Sequence, residues 1–355
     1  MRILFANGRQ TYPLFQGGDG ISMHNLLSRL YQDQHQVLHI GKLDPPHIEH
    51  SQHQTLKMLT KLQVKYKESN DGISYGIYGY KCILVEDKSF IRNLSKHIVS
   101  FSPDIILTQL NNSQEVIQVA AGCRKKIILL IHDHDPLNYL TINNSHNISH
   151  IIFNSKSTSN HFKKLLKCSS SIIYPSIRLE DYLCNVINPK YITMINPIFS
   201  KGIAIVQQVA KHFPKEKFLL IKGWRKPELS NSCSNNIIIK NRQYDMRKIY
   251  EKSKLVLIPS QWEESFCRII PEAGINKIPI IASRVGGIPE ALGEGGILIN
   301  KYNDVQSWCF EIKRLLDNEA LGIRLGDLAY VQAKKFAFNK IYHQLLSVFN
   351  AVHHS

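Results

Sequence analysis

The sequence predicts an α/β fold built from two parallel-sheet domains, and three observations lead to it. Short apolar runs rich in β-branched residues, such as Leu255–Pro259 and Ile278–Ala282, are too short for helices and read as strands buried on both faces. They alternate with stretches of helical period along the chain, which is the pattern of βα units. The alternation begins at Ile3 and starts again at Tyr191, in a chain whose 355 residues suffice for two domains.

In the first half, Ile3–Ala6 reads as a strand, and Asn7–Gly20 as a long loop ending in Gly17-Gly18-Asp19-Gly20. Ser22–Tyr31 reads as a helix with Met23, Leu26, Leu27 and Leu30 on one face. Val37–Ile40 is the next strand. The glycines between do not match the dinucleotide pattern G-x-G-x-x-G, so an ordinary βα turn fits them from local signal alone. His47, His50 and His53 recur every third residue, but no fixed carboxylate or cysteine partner stands out, and they read as a solvated loop. Leu56–Glu68 is a basic amphipathic stretch carrying Lys57, Lys61, Lys65 and Lys67. It reads as a surface helix with its lysines in water, or as one lying on a membrane or guiding an acceptor.

Strands follow at Ser74–Tyr78, Cys82–Val85, Asp104–Leu107, Ile127–Ile131, His150–Phe153 and Ile172–Tyr174. Helices are predicted at Phe90–Phe101, Ser113–Cys123 and Ser157–Lys167. The strand ending at Ile131 runs straight into His132-Asp133-His134-Asp135-Pro136, which puts polar groups at a carboxyl end, where open parallel sheets bind ligands. The polar, irregular stretch Ser176–Pro189 marks the domain boundary. The second half then gives strands at Tyr191–Ile195, Phe218–Lys222 and Ile237–Ile239. Its helices are Ile203–His212, Asp245–Lys252, Cys267–Asn276, Asp304–Leu316, Ala320–Phe336 and Asn339–Val352.

Composition excludes several classes. Hydrophobic content of 43% with 20% charged residues is that of a globular chain, not a disordered one. No apolar run approaches a bilayer-spanning length, and Met1–Ala6 is too short for a signal-peptide core, so the expected location is cytoplasmic. Seven cysteines without Cys-x-x-Cys spacing argue against a disulfide framework or a zinc site. The net charge of +16 is spread over both halves, which argues against a nucleic-acid-binding tail. The excess fits an anionic ligand, peripheral contact with an anionic membrane, or a solvated surface.

The chemistry concentrates in Lys254–Ile299. Glu264 lies in the turn after the strand Leu255–Pro259, and Glu272 about two turns into the following helix. Between them, the amides of Phe266, Cys267 and Arg268 fall at a helix start, which favours hydrogen-bond acceptors and negative charge. Two carboxylates flanking such donors suit a polyhydroxylated ligand that carries phosphate. Taken alone, the same spacing also reads as two solvated glutamates.

Three motifs follow one another here: Pro259-Ser-Gln-Trp-Glu-Glu264-Ser-Phe266-Cys-Arg-Ile-Ile-Pro-Glu272-Ala273, then Pro279-Ile-Ile-Ala-Ser283, then Gly286-Gly-Ile-Pro-Glu290. Together they resemble the donor-site region of the family-4 retaining glycosyltransferases (glycosyl transferases group 1). The resemblance implies the GT-B fold: two facing Rossmann-like βαβ domains with a cleft between them. The first, 1–175 with the C-terminal helix about 339–355 packed back on it, would be the acceptor side. The second, 176–338, would bind the donor.

The implied activity is metal-independent transfer of a sugar from a nucleotide-diphosphate sugar to an acceptor hydroxyl, with no cofactor. Residue by residue, Lys201 would face the diphosphate, Glu272 the ribose hydroxyls, and Glu264 with Ser265, Phe266, Cys267 and Arg268 the sugar. His132 matches the strand-end histidine that faces the donor sugar. Gly17 and Gly18 match a paired glycine near the diphosphate, and Lys240 and Asn241 the position that frames the base. Asp133-His-Asp135 also has the D-x-D form of metal-dependent glycosyltransferases of another fold, a reading that the neighbouring βα units disfavour. Two departures stand out. Cys267 replaces the usual glycine, and Asn196 replaces an arginine of the turn that carries Lys201 and Gly202, with Arg225 and Arg268 as candidates for the missing charge. The donor sugar, the base and the class of acceptor are not legible. A nucleotide-sugar-binding protein without an acceptor, epimerase-like or a scaffold, is the alternative reading.

Overall fold

A computed structural model describes residues 1–14, 17–43, 52–70, 72–135, 138–139, 145–165, 167–223, 226–228 and 234–355. The chain separates into two units. Unit 1 comprises Met1–Asn154, Thr158–Ile173 and Tyr342–Ser355, and unit 2 comprises Ser155–Ser157 and Tyr174–Ile341.

Unit 1 begins β1 (Arg2–Ala6), α1 (Gly18–Gln32), β2 (Gln36–Lys42), α2 (Gln52–Lys61), β3 (Tyr66–Ser69), β4 (Gly72–Ile77) and β5 (Tyr80–Val85). It continues α3 (Phe90–Phe101), β6 (Ile105–Gln109), α4 (Ser113–Gly122), β7 (Lys126–Ile131), β8 (His150–Phe153), α5 (Lys156–Phe162) and β9 (Ser170–Ile172). Its nine-stranded sheet has the order β3-β4-β5-β2-β1-β6-β7-β8-β9. The pairings are parallel from β5 to β9, while β3, β4 and β5 form an antiparallel edge. Successive strands run one way from β1 and the other way from β6, so the two diverge at a switch point, where such sheets bind ligands.

The helices cover the sheet with periodic apolar stripes. On α3, Phe90, Leu94 and Ile98 are buried at i, i+4 and i+8, and full burial of such a side chain contributes about 1.5–3 kcal/mol. The helix stops where Ser102 turns to φ 45°. The chain returns to unit 1 at Tyr342, whose hydroxyl donates to Asp33 (2.6 Å) while the Arg29 guanidinium lies 5.0 Å from its ring.

Unit 2 runs β10 (Tyr191–Ile195), α6 (Ile203–His212), β11 (Lys217–Ile221), β12 (Ile237–Lys240), α7 (Arg247–Tyr250) and β13 (Ser253–Ile258). After these come α8 (Ile269–Gly274), β14 (Ile280–Ser283), α9 (Ile288–Leu292), β15 (Ile297–Ile299), α10 (Val305–Leu316) and α11 (Glu319–Ala333); α12 (Phe338–His354) begins in unit 2 and belongs to unit 1 from Tyr342. Six parallel strands take the order β12-β11-β10-β13-β14-β15. Both faces are covered, as the continuous apolar runs require. Ile192, Leu220, Leu257 and Trp308 meet in one core, and Val256, Ile280, Phe266 and Phe336 in another.

Several expectations are corrected. The basic stretch Leu56–Glu68 is not one helix: α2 ends at Lys61, Gln63 takes φ 56°, and the chain continues as edge strand β3, which carries Lys67. Exposed lysine on an edge strand discourages pairing with another chain. The helix expected over Cys267–Asn276 starts only at Ile269, because Cys267 adopts φ 74°. The helix expected over Asp245–Lys252 shrinks to Arg247–Tyr250, and Ser157–Lys167 is helical only to Phe162, with a tighter turn at Lys163–Leu165. The strand expected at Ile172–Tyr174 falls at Ser170–Ile172, and β15 carries no strand expectation from sequence. Of the three spaced histidines, His53 lies exposed on α2, and His47 and His50 lie outside the described residues. Among the described residues, no helix is long and apolar enough to cross a membrane.

Candidate active site

The parallel register of β10, β13 and β14 puts the loops after these three strands side by side. The β10 loop is a 3-10 turn, Phe199–Lys201, closed by Gly202 at φ 84°. Gly202 sits so close to the β13 loop that an added Cβ would lie 1.9 Å from the Pro259 carbonyl oxygen. The Gln261 amide donates to the Ser200 carbonyl (2.8 Å). These contacts bring Lys201 onto Glu264, 63 residues away, as a salt bridge with side chains 19% and 9% exposed. The Ser260 hydroxyl donates to the same Glu264 oxygen (2.6 Å), and the Trp262 side chain adds a further hydrogen bond. Burial alone would raise the Glu264 carboxyl. The Lys201 ammonium and the Ser260 and Trp262 donors outweigh it and hold the group below the usual carboxylate range.

Glu272 has the opposite environment. Burial raises it above the ordinary range, only partly offset by Arg268 (3.6 Å) and by the Tyr250 hydroxyl, which donates to it (2.9 Å). The site thus holds one carboxylate fixed in its charged form and one biased toward protonation. Arg268 also donates to the Ser176 carbonyl (3.0 Å). Its guanidinium is therefore engaged by the segment before unit 2's sheet and by Glu272. Ser265 lends its carbonyl to a close approach of Gly287, where a Cβ would lie 2.1 Å from that oxygen. The Phe266 side chain belongs to the core, with its ring 4.9 Å from that of Phe336.

Cys267 occupies a left-handed backbone conformation, which explains why glycine is usual there in the family the sequence resembles. Cys267 is half-buried, and burial pushes its thiol pKa well up, which disfavours the reactive thiolate. Cys267→Gly is expected to fold normally. Cys267→Val is expected to be less stable than Cys267→Gly by about 2 kcal/mol or more, since a β-branched residue tolerates this φ worst. Urea denaturation of the two variants checks this.

Asn196 ends β10 at φ 62°, a conformation asparagine tolerates well. Its side-chain oxygen is buried without a hydrogen-bond partner, and a Cβ on Gly223 would fall 2.3 Å from it. Lys240 and Asn241 are exposed at the end of β12, where Lys222 donates to the Asn241 side chain (2.9 Å). Arg225 lies outside the described residues. The structure therefore brings together Lys201, Glu264, Ser265, Arg268 and Glu272. Ser260 and Trp262 complete the arrangement without having been singled out from sequence. Their only signal was their place in the turn that carries Glu264.

In unit 1, Gly17 caps α1 in extended backbone (φ −68°, ψ 166°), with Gly18 as the first helical residue. The left-handed freedom of glycine is thus not used at Gly17. Beside this helix start, Asp19 pairs with Arg9 (2.9 Å), which also donates to Asn111 (2.9 Å). His132 follows β7, where its amide donates to the Tyr139 hydroxyl (3.0 Å) and its carbonyl accepts from Asn154 (3.1 Å).

The neighbouring Asp133 accepts from the Asp135 amide (3.1 Å) and the Asn138 side chain (3.0 Å), yet burial raises its pKa to about 6. A carboxyl raised on folding binds more protons in the folded chain, so its contribution to stability falls as pH rises from 3.8 to about 6. Asp133→Asn is expected to remove that slope and to be more stable than the parent at pH 7.5, by on the order of 2 kcal/mol. Urea midpoints measured at pH 4.5 and 7.5 check it. Among the described residues, no group of three His, Cys, Asp or Glu side chains is placed to hold a metal ion.

Residues 195–318 match the family model of glycosyl transferases group 1. The D-inositol 3-phosphate glycosyltransferase of Corynebacterium glutamicum is 35% identical over 104 residues, 29% of this chain and 24% of that protein. Spore coat protein SA of Bacillus subtilis is 32% identical over 108 residues, 30% of this chain and 29% of that protein. The chain therefore spans about a quarter of the length of the curated relatives it matches. Among solved structures, a sucrose-phosphate synthase from Thermosynechococcus elongatus is similar at a TM-score of 0.77 with 15% identity, covering 99% of both chains. Anabaena Alr3699/HepE, solved in complex with UDP, is similar at a TM-score of 0.75 with 16% identity, covering 99% of this chain and 100% of that one. The chain has the GT-B fold, and the segment that matches the glycosyl transferases group 1 model lies in unit 2.

Proposed function

We propose that the protein is a retaining glycosyltransferase, transferring a sugar from a nucleotide-diphosphate sugar to an acceptor hydroxyl without a metal. The observation that carries this reading is the Lys201–Glu264–Ser260 arrangement at the carboxyl end of unit 2's parallel sheet, with Glu272 behind it. In this reading Lys201 receives the negative charge of the departing diphosphate. Preorganised charge of this kind stabilises a transition state most where water is excluded. Glu264, held charged, stands by the sugar as positive character develops on its ring, and Glu272 takes the ribose hydroxyls. A carboxylate committed to an ammonium and two further donors is a poor nucleophile, so no covalent intermediate is assigned to Glu264. By the family resemblance, His132 is assigned to the donor sugar. Relatives that act as glycosyltransferases, and a neighbour solved with UDP-glucose, support the class of donor.

The second reading, a nucleotide-sugar-binding protein with no acceptor, rests on Asn196. An amide in place of a guanidinium leaves the diphosphate with less positive charge. A thermal-shift screen against UDP, GDP, ADP and their sugar conjugates, with and without magnesium, tests both, because a ligand of the native state raises its apparent stability. A shift with one nucleotide, larger with one of its sugar conjugates and independent of magnesium, is the expected result. Turnover on addition of acceptor hydroxyls then favours the transferase. No shift with any of them would remove the donor assignment.

A further inference from the structure

Trp262 stands two residues before Glu264 in the same turn and touches both members of the buried ion pair. The Lys201 ammonium lies 4.8 Å from the centroid of its ring, a cation–π contact. Its side chain hydrogen-bonds the Glu264 carboxylate, and the indole N–H is the only donor it has. Trp262 is nevertheless 46% exposed, on a loop at the ligand-binding edge of the sheet. A large aromatic left half in water yet fastened by its two contacts to a charged pair does little for the core and much for the geometry of that pair.

We propose that Trp262 is a positioning residue of the donor site, holding the Lys201 ammonium against its ring face and the Glu264 carboxylate by its indole N–H. The proposal rests on the donor-site reading given above. Its physical sense lies in an exchange of partners. When a diphosphate draws on Lys201, Glu264 loses part of its ion pair. Ser260 and Trp262 remain as its donors, so the carboxylate keeps both its charge and its place. The ring meanwhile limits where the lysine can go, so its long side chain is ordered before the anion arrives.

The test compares Trp262→Leu and Trp262→Phe in the full chain and in a Lys201→Met/Glu264→Gln background, in which the pair is neutral. Inorganic pyrophosphate is the anionic probe, titrated calorimetrically. In the otherwise unaltered chain, Trp262→Leu is expected to weaken pyrophosphate binding by about 3- to 30-fold, the range that a cation–π contact spans. Trp262→Phe keeps the ring face and is expected to retain binding to within about 3-fold. Urea denaturation without ligand gives the second readout. Trp262→Leu should change the unfolding constant at least about 3-fold less in the neutral-pair background than in the parent, because the cation–π contact it removes is already gone there. Equal effects in both backgrounds would overturn the proposal, since Trp262 would then act on the fold and not through the pair. If the unaltered chain binds no pyrophosphate, the diphosphate reading fails, while the denaturation comparison still decides whether Trp262 holds the pair.

Discussion

Lys201→Met is expected to destabilise the protein by about 3–5 kcal/mol, because it strips the counter-ion from a buried carboxylate. Glu264 is 7% exposed, and burial works against its charge. Without Lys201, the Ser260 and Trp262 donors must hold that charge alone, so the carboxyl should take up a proton or drag water into the loop. The double variant Lys201→Met/Glu264→Gln is expected to recover most of the lost stability, since it removes the unpaired charge as well as the pair. Its activity should not recover. Loss of either member is expected to lower turnover by about 100- to 1,000-fold, the usual cost of removing one preorganised electrostatic contact. Urea denaturation of the four-member cycle checks the first claim, and turnover with the donor found by thermal shift checks the second. A Glu264→Gln variant that turns over like the parent would remove Glu264 from the site.

Gly286→Ala is expected to cost about 3 kcal/mol or more, from a left-handed backbone and an overpacked contact together. Gly286 has φ 52°, and a Cβ there would lie 2.1 Å from the carbonyl oxygen and 2.8 Å from the amide nitrogen of Glu264. Neither atom can yield without moving the peptide groups that aim the carboxylate. The Gly287 amide also donates to the Glu264 carbonyl (2.6 Å), so the displacement would break a hydrogen bond of the same loop. The variant should therefore lose nucleotide-dependent thermal stabilisation as well as melting temperature. Gly122→Ala is the control. No atom lies within 4 Å of a Cβ at that position in the last turn of α4, and the substitution should be neutral or stabilise by about 0.5–1 kcal/mol. A Gly286→Ala variant as stable as the parent would show that the two loops are not held as closely as described.

Much of this architecture was legible along the chain. Buried strands such as Leu255–Ile258 and Ile280–Ala282 announce themselves as short β-branched runs, and α3 as the stripe Phe90, Leu94 and Ile98. The site was half legible. Glu264 and Glu272 could be singled out by their spacing across a strand–turn–helix and by the motifs around them, but their different states could not. One is held charged by Lys201, and the other is raised by burial that Arg268 and Tyr250 only partly offset. The edge strand β3 was missed because Lys65 and Lys67 continue the basic pattern of α2, and only pairing with β4 makes Tyr66–Ser69 a strand.

What the sequence determined by itself is therefore what depends on residues near one another in the chain: the order of strands and helices, the restart at Tyr191 and the candidate turn at Glu264. Periodicity, β-branching and turn chemistry act over a few residues and need no partner. What the tertiary structure alone decided is the pairing of Lys201 with Glu264, the left-handed backbone at Cys267 and Asn196, and the need for glycine at 202 and 286. Each of these follows from β10, β13 and β14 lying side by side, which brings loops distant in sequence to within van der Waals range. Ion pairing and steric exclusion act only at that range, so they come into being with the sheet and leave no periodic trace in the chain.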